Sequence, residues 1–291
     1  MARITSYTAV SQTQGLTGLE DADVFLIDGT NGSRKITAKE LANAMADKLP
    51  FNAAAVGVGY GKSGLYRGAN LGSGSTFAAA STSAQRAAIA DGTFKGLFIG
   101  DYWTVNGKVY RIADFNYWKR TGDTDFNTNH LVIVPDASFG NGQMNSTNIT
   151  TGAYVGSEMY TGASSVLNTA RTAISNEFGT YLASHKLYLP NAVSNGVESA
   201  GAWYDSTVEL MSEIMVYGSR IRNPGNFYTT EKSQLALFRL NPAMVNLRYN
   251  YWLRDVVSAT YFASVLYGGR AHDSGASNSG GVRPAFAVKG A

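Results

Sequence analysis

Asn106-Gly107 constrains this chain more than any other pair of residues in it. The dipeptide stands between Trp103-Thr104-Val105 and Lys108-Val109-Tyr110-Arg111-Ile112, two arms rich in aromatic and β-branched residues. A two-residue type I′ turn needs positive φ at both central positions, which Asn and Gly tolerate and most residues do not. Residues 103–112 therefore read as a β-hairpin, and a hairpin needs more strands or a helix to be stable. Leu131-Val132-Ile133-Val134-Pro135 supplies a buried strand, and Lys186-Leu187-Tyr188-Leu189 a shorter one. A helix over residues 164–184 places Leu167, Ala170, Ile174, Phe178, Tyr181 and Leu182 on one stripe. A second is expected from Ser206, with Glu209 completing a capping box and Val208, Met211 and Met215 facing inward before Gly218. Ser83 caps a short helix over 83–90 that Gly92 stops, and 218–245 is mostly connecting loop with a possible strand at Leu235-Ala236-Leu237-Phe238. Hairpin, strand, two helices and then short strands make an α+β order rather than βαβ repetition.

That reading gives a globular domain over 83–291 with two units ahead of it. Residues 1–50 hold a short apolar run, Val24-Phe25-Leu26-Ile27, bounded by a turn, then capping-box spacing at Thr37-Ala38-Lys39-Glu40 and a helix closed by Pro50. One strand and one short helix bury too little surface to stand alone, so partner chains are expected here. Residues 51–82 are rich in Gly, Ala, Ser and Thr and read as a linker or an extended packing segment. Gly57-Val58-Gly59-Tyr60-Gly61-Lys62-Ser63 has the glycines of a phosphate loop but lacks the preceding strand and following helix that such a loop needs.

Composition removes several kinds of chemistry. With no cysteine, disulfides, thiolate nucleophiles and Cys-ligated metals are excluded. A net charge of +3 without a basic run gives no reason to expect nucleic acid or an anionic membrane. No stretch approaches the ~20 apolar residues of a membrane span, and no secretory leader is expected. His130, His185 and His272 lack metal-site spacing, and Asp123, Asp125, Asn127 and Asn129 lack the glycine and closing acid of an EF-hand. Asp101, Asp114, Glu209 and Asp255 are carboxylates that the fold can pair in space, and Asp255 beside Arg254 reads as an ion pair or turn residue. Nothing nominates catalysis, and no cofactor or metal is expected.

The stretch 250–288 has rigid text at both ends, Tyr251-Trp252-Leu253-Arg254-Asp255 and Gly281-Val282-Arg283-Pro284-Ala285-Phe286. Between them a sparse apolar frame of Phe262, Ala263, Val265, Ala271 and Ala276 alternates with mixed types at Ser264, Leu266, Tyr267, Arg270, His272, Asp273, Ser274 and Asn278. Alternate residues of a strand point to opposite faces, so this is the pattern of a displayed surface on a fixed frame. An ordinary loop-rich end of a β domain fits the spacing as well.

These blocks, with Ile99-Gly100-Asp101-Tyr102-Trp103, Ile112-Ala113-Asp114-Phe115, Met144-Asn145 and Gly201-Ala202-Trp203-Tyr204-Asp205, resemble the C-type-lectin-like domain of phage and prophage surface proteins over residues 93–288. Asp23 to Ala42 is similar to segments that attach tail or head fibres to a virion. The resemblance implies a sheet joining strands from both ends of the domain, two flanking helices and a long loop region bearing the ligand surface. In relatives diversified by retroelements the variable positions fall here on Ser264, Leu266, Tyr267, Arg270, His272, Asp273, Ser274 and Asn278. It implies a non-enzymatic, virion-located fibre or receptor-binding protein, trimeric, attached through residues 1–50 and binding a bacterial surface protein or glycan. A structural head or neck fibre and, less favoured, a polysaccharide depolymerase are the alternatives. The Glu-Pro-Asn and Trp-Asn-Asp sets of Ca²⁺-dependent sugar-binding lectins are missing, so that activity is not implied.

Overall fold

The apolar run near the N-terminus forms strand β1 (Val24–Ile27), and it has a partner the sequence reading did not include, β2 (Arg34–Thr37). The two pair antiparallel with Val24 opposite Thr37 and Ile27 opposite Arg34. These strands belong to a computed structural model that describes residues 24–27, 34–37, 65–225, 229–231 and 233–291. The helix expected before Pro50 and the glycine loop at 57–63 lie outside the described residues.

Residues 65–82, expected as linker, are instead built into the main unit. β3 (Asn70–Gly74) pairs in parallel with β4 (Tyr102–Val105), and a short helix, Phe77–Ala80, follows it. The glycines serve close approach rather than flexibility. A Cβ on Gly72 would lie 2.1 Å from the Ala80 carbonyl oxygen, and one on Gly74 would lie 2.7 Å from the Ala80 nitrogen. Asp101, fully buried, fastens the segment by accepting from Arg67 Nε at 2.9 Å, Ala69 N at 2.9 Å and Phe98 N at 2.9 Å. Because these donors lose their acceptor together, Asp101→Ala should cost about 3 kcal/mol of stability in urea denaturation. A loss below about 1 kcal/mol would show that the segment is held by other contacts.

The expected hairpin is present. β4 and β5 (Lys108–Phe115) are joined by Asn106 at φ 49° and Gly107 at φ 76°, with Trp103 opposite Tyr110 and both fully buried. β6 (His130–Pro135), buried along its whole length, continues the sheet. The C-terminal strand β16 (Pro284–Lys289) pairs with β6 on one side. On its other side it meets β8 (Leu182–Ala183) and β11 (Val208–Leu210). The sheet order is therefore β11-β16-β6-β5-β4-β3 with β8 against β16. Phe178 joins the layers, its ring 5.0 Å from that of Tyr110 and 4.8 Å from that of Phe286. The molecule is α+β, mostly sheet with few helices.

Several local expectations are corrected by this packing. The first long helix runs Val166–Phe178 and buries Leu167, Ala170, Ile174 and Phe178 as expected, but Gly179 at φ 52° ends it before Tyr181 and Leu182. No helix begins at Ser206: Val208 lies opposite Phe286 in the sheet, and the helix is the shorter Glu213–Tyr217, capped by Ser212 and closed by Gly218. Leu235-Ala236-Leu237-Phe238 leads into a helix, Ala236–Leu240, because a short fully apolar run fits a buried helix as well as a strand. The helix Ser83–Ala90 is capped by Thr82, whose hydroxyl and Gln85 form a reciprocal capping box, rather than by Ser83. Lys186 to Leu189 is part of a longer hairpin, β9 (His185–Ser194) with β10 (Val197–Ser206), turned by Asn195 and Gly196 at φ 52° and 77°.

Candidate functional site

A second sheet has the order β14-β13-β12-β15-β7, from β12 (Tyr251–Val256), β13 (Tyr261–Val265), β14 (Ala271–Gly275), β15 (Gly280–Gly281) and β7 (Asn141–Gly142). Directly opposite residues of an antiparallel pair share a face. Ser264 stands opposite Trp252 and His272, and Phe262 opposite Ser274. The Leu266 N–H donates to the Arg270 carbonyl at 2.9 Å and extends the same ladder past the strand ends. Ser264, Leu266, Arg270, His272 and Ser274 thus share the Trp252 face. Both faces are buried along the middle of the sheet, Trp252, Phe262 and Ser264 on one and Tyr251, Ala263 and Val265 on the other, where the Tyr251 hydroxyl donates to Val245 O at 2.9 Å.

The other three nominated residues go elsewhere. Asp273 lies on the opposite face, paired with Arg222 at 2.9 Å. Tyr267, 63% exposed, sits in the turn at one end of the β13–β14 ribbon, and Asn278, also exposed, in the turn at the other. Five strand residues at ~3.3 Å each put those turns roughly 15 Å apart. The arrangement is a strip and not a pocket. Ser264 is only 2% exposed, its hydroxyl 3.3 Å from that of Ser274, so it supports the strip from beneath. Trp252 forms the floor: its Nε1 donates to Gly142 O at 2.8 Å, and a Cβ on Gly280 would lie 2.8 Å from that nitrogen. His272 Nδ1 is buried without a hydrogen-bond partner.

The two rigid blocks fix this sheet from behind. Arg283 is buried without a carboxylate partner among the described residues, donating to Pro135 O at 2.9 Å and Met244 O at 2.8 Å between the rings of Tyr251 and Phe238. Arg254 does not pair with its neighbour Asp255 by hydrogen bond. It donates to Glu231 and to Leu210 O, while Asp255 accepts from Glu213 N at 2.7 Å. Glu198, which the sequence did not nominate, accepts from Val256 N at 3.0 Å and Asn223 Nδ2 at 3.0 Å. Burial, reinforced by the charges of Glu198 and Glu213, pushes the Asp255 carboxyl well above the usual range, and burial raises Glu198 as well. Such a carboxylate pair has the chemistry of a general acid and base. The cleft that Glu198, Glu231, Arg254 and Asp255 line measures about 20 Å³, room for a single water and not for a sugar ring.

The remaining sequence candidates are occupied by the fold. Asp123 meets Lys186 at 3.5 Å, and Asn129 accepts from Lys119 and donates to Ala90 O, so this turn faces the protein's own cations. Glu209 accepts from Arg171 at 2.9 Å and from the Tyr154 hydroxyl at 2.7 Å. Asp114 accepts from Ala236 N, and burial lifts its carboxyl to about 6. His130 and His185, far apart in sequence, are both buried around Trp118, whose ring stacks 3.9 Å from that of His185. Burial depresses His130 to about 4 and His185 to about 3. Among the described residues no group of three or more His, Asp or Glu side chains is placed to hold a metal, and no helix is long and apolar enough to cross a membrane. Compared with protein-family models, with curated proteins and with solved structures, the chain finds no match.

Proposed function

We propose that this chain is a virion-attached fibre protein whose C-type-lectin-like domain binds a bacterial surface through the β13–β14 ribbon, without enzymatic activity and as a trimer held by residues 1–50. The observation that carries the reading is the shared face of Ser264, Leu266, Arg270, His272 and Ser274, continued at its end by the exposed ring of Tyr267. Tyr and Arg are the side chains most often found as binding anchors, and small polar neighbours adapt around them. The lectin-like fold is supported by topology: β16, from the end of the chain, lies in one sheet with β3, β4 and β5 from the start of the unit, and the segment between β12 and β15 forms a separate sheet. Several weak sites on one particle give strong attachment.

The test is binding of the purified full chain to a panel of bacterial cells beside the double variant Tyr267→Ala, His272→Ala. Strain-selective binding that falls about tenfold or more in the variant is expected. Unchanged binding by the folded variant would remove the ribbon as the site.

A further inference from the structure

The turn over residues 266–270 does not stand alone. It packs on the preceding turn, 246–250: the Tyr267 N–H donates to Asn250 Oδ1 at 2.8 Å, and a Cβ on Gly269 would lie 3.4 Å from that of Asn246. This contact brings Arg248 and Arg270, both exposed, to the same end of the sheet as Tyr267. Neither guanidinium meets a carboxylate among the described residues. The acidic residues nearest along the chain are engaged elsewhere: Asp255 is buried, and Asp273 lies on the opposite face and pairs with Arg222.

Arg248 also occupies a left-handed backbone position, as Phe94, Arg120 and Ala153 do elsewhere in the chain. Its φ is 61°, left-handed space that glycine enters freely and a long L side chain enters only at a cost. The Asn246 side chain holds it there, accepting the Arg248 N–H at 2.6 Å.

We infer that this end of the sheet binds a polyanionic surface polysaccharide, with Arg248 and Arg270 on its acidic groups and the Tyr267 ring against a sugar face. The inference rests on the reading of the ribbon as the host-binding tip and adds the chemical class of what it binds. A planar guanidinium offers paired N–H donors that match a carboxylate or a phosphate, and Tyr gives a rigid amphipathic contact surface. A neutral glycan would leave both cations without counter-charge. A folded protein partner is less well matched, since such interfaces centre on a larger apolar patch than one exposed ring.

The experiment measures binding of the full chain to polygalacturonate, to a poly(glycerol phosphate) polymer and to neutral dextran. Wild type is compared with Arg248→Gly, Arg270→Gln, Arg270→Lys and the double variant Arg248→Gly, Arg270→Gln. Binding to at least one polyanion and not to dextran is expected, weakened by added salt and falling about tenfold for each arginine removed. Arg270→Lys should retain part of the affinity, since it keeps the charge and loses the fork. Arg248→Gly should melt no lower than wild type, so its loss of binding is not a loss of folding. Which polymer is bound separates carboxylate from phosphate recognition. Equal affinity of the double variant and wild type, or no binding to either polyanion, overturns the inference. If polyanion binding fails while cell binding sensitive to Tyr267→Ala, His272→Ala persists, the ligand class is wrong and the tip stands. If both fail, the tip reading falls with it.

Discussion

Replacing Arg254 with Met should remove about 3–5 kcal/mol of folding stability, the usual result of breaking a buried ion pair from one side. Arg254 and Glu231 are 4% exposed each, so the Glu231 carboxylate left behind stays buried, with room beside it for a single water. The loss also spreads, because Arg254 is a counter-charge that holds down the raised carboxyls of Asp255 and Glu198. Removing both partners is a different matter. In Arg254→Met, Glu231→Leu the stranded Glu231 charge is gone, and apolar replacements of a buried pair are often neutral, although Asp255 and Glu198 still lose their counter-charge. Part of the stability should therefore return in the double variant, with the urea midpoints of the four proteins forming a double-mutant cycle. A single variant within about 1 kcal/mol of wild type would show that Arg254 is not what anchors β12 to residues 229–231.

How much of this was readable beforehand depended on how local each signal was. Asn106-Gly107 states its own conformation, and the hairpin formed as expected. Asn195-Gly196 carries the same message and makes the longer hairpin β9–β10, yet only four residues of it were recognised, because its arms mix Pro190, Gly201 and charged residues with the apolar ones. Val208-Glu209-Leu210 failed in the opposite way. Its capping-box spacing is real in the sequence, but β16, some seventy residues later, offers backbone partners that take the segment into the sheet. Glycine misled similarly at Gly72 and Gly74, where the absent side chain admits a neighbouring backbone and does not signal a loose tether.

The candidate strip was half legible for a related reason. Period-two spacing alone separates Ser264 and Leu266 from Ala263 and Val265, and His272 and Ser274 from Asp273, so a strand of known register sorts its own faces. Spacing could not say that Asp273 finds Arg222, or that Arg248 comes to lie at the same end as Arg270. Both depend on the course of loops, the second set by the Asn246 and Asn250 side chains. Glu213 fixes the first by accepting the backbone N–H groups of Ile221, Arg222 and Asn223. The Glu198–Asp255 pair was invisible for the same reason, being made by a hairpin and a strand more than fifty residues apart.

His185 gives the clearest dependence of stability on pH. Its ring is 2% exposed and stacked on Trp118, and neither ring nitrogen has a partner at hydrogen-bonding geometry, so burial holds it neutral down to about 3. The unfolded chain takes up its proton near 6.5, well before the folded protein does. As pH falls below that value the unfolded state binds more protons, and stability is lost until the folded ring also titrates. From pH 6.5 to pH 5 is about 1.5 units, and at about 1.4 kcal/mol per unit this ring alone costs about 2 kcal/mol. Wild type will not show that slope cleanly. Asp114, raised to about 6, binds its proton in the folded state first and adds stability over the same acid range, and the raised carboxyls of Glu198 and Asp255 act with the same sign. The difference between two proteins isolates the histidine. His185→Phe keeps a ring against Trp118 and removes two unpartnered ring nitrogens, so at pH 7.5 it should match wild type to within about 1 kcal/mol. At pH 5 it should be the more stable by about 2 kcal/mol, because only the wild-type unfolded state gains a proton at residue 185, while His130 titrates alike in both. Urea denaturation of the pair from pH 7.5 to 5 checks this, and parallel curves would mean that the His185 ring is already solvated in the folded protein.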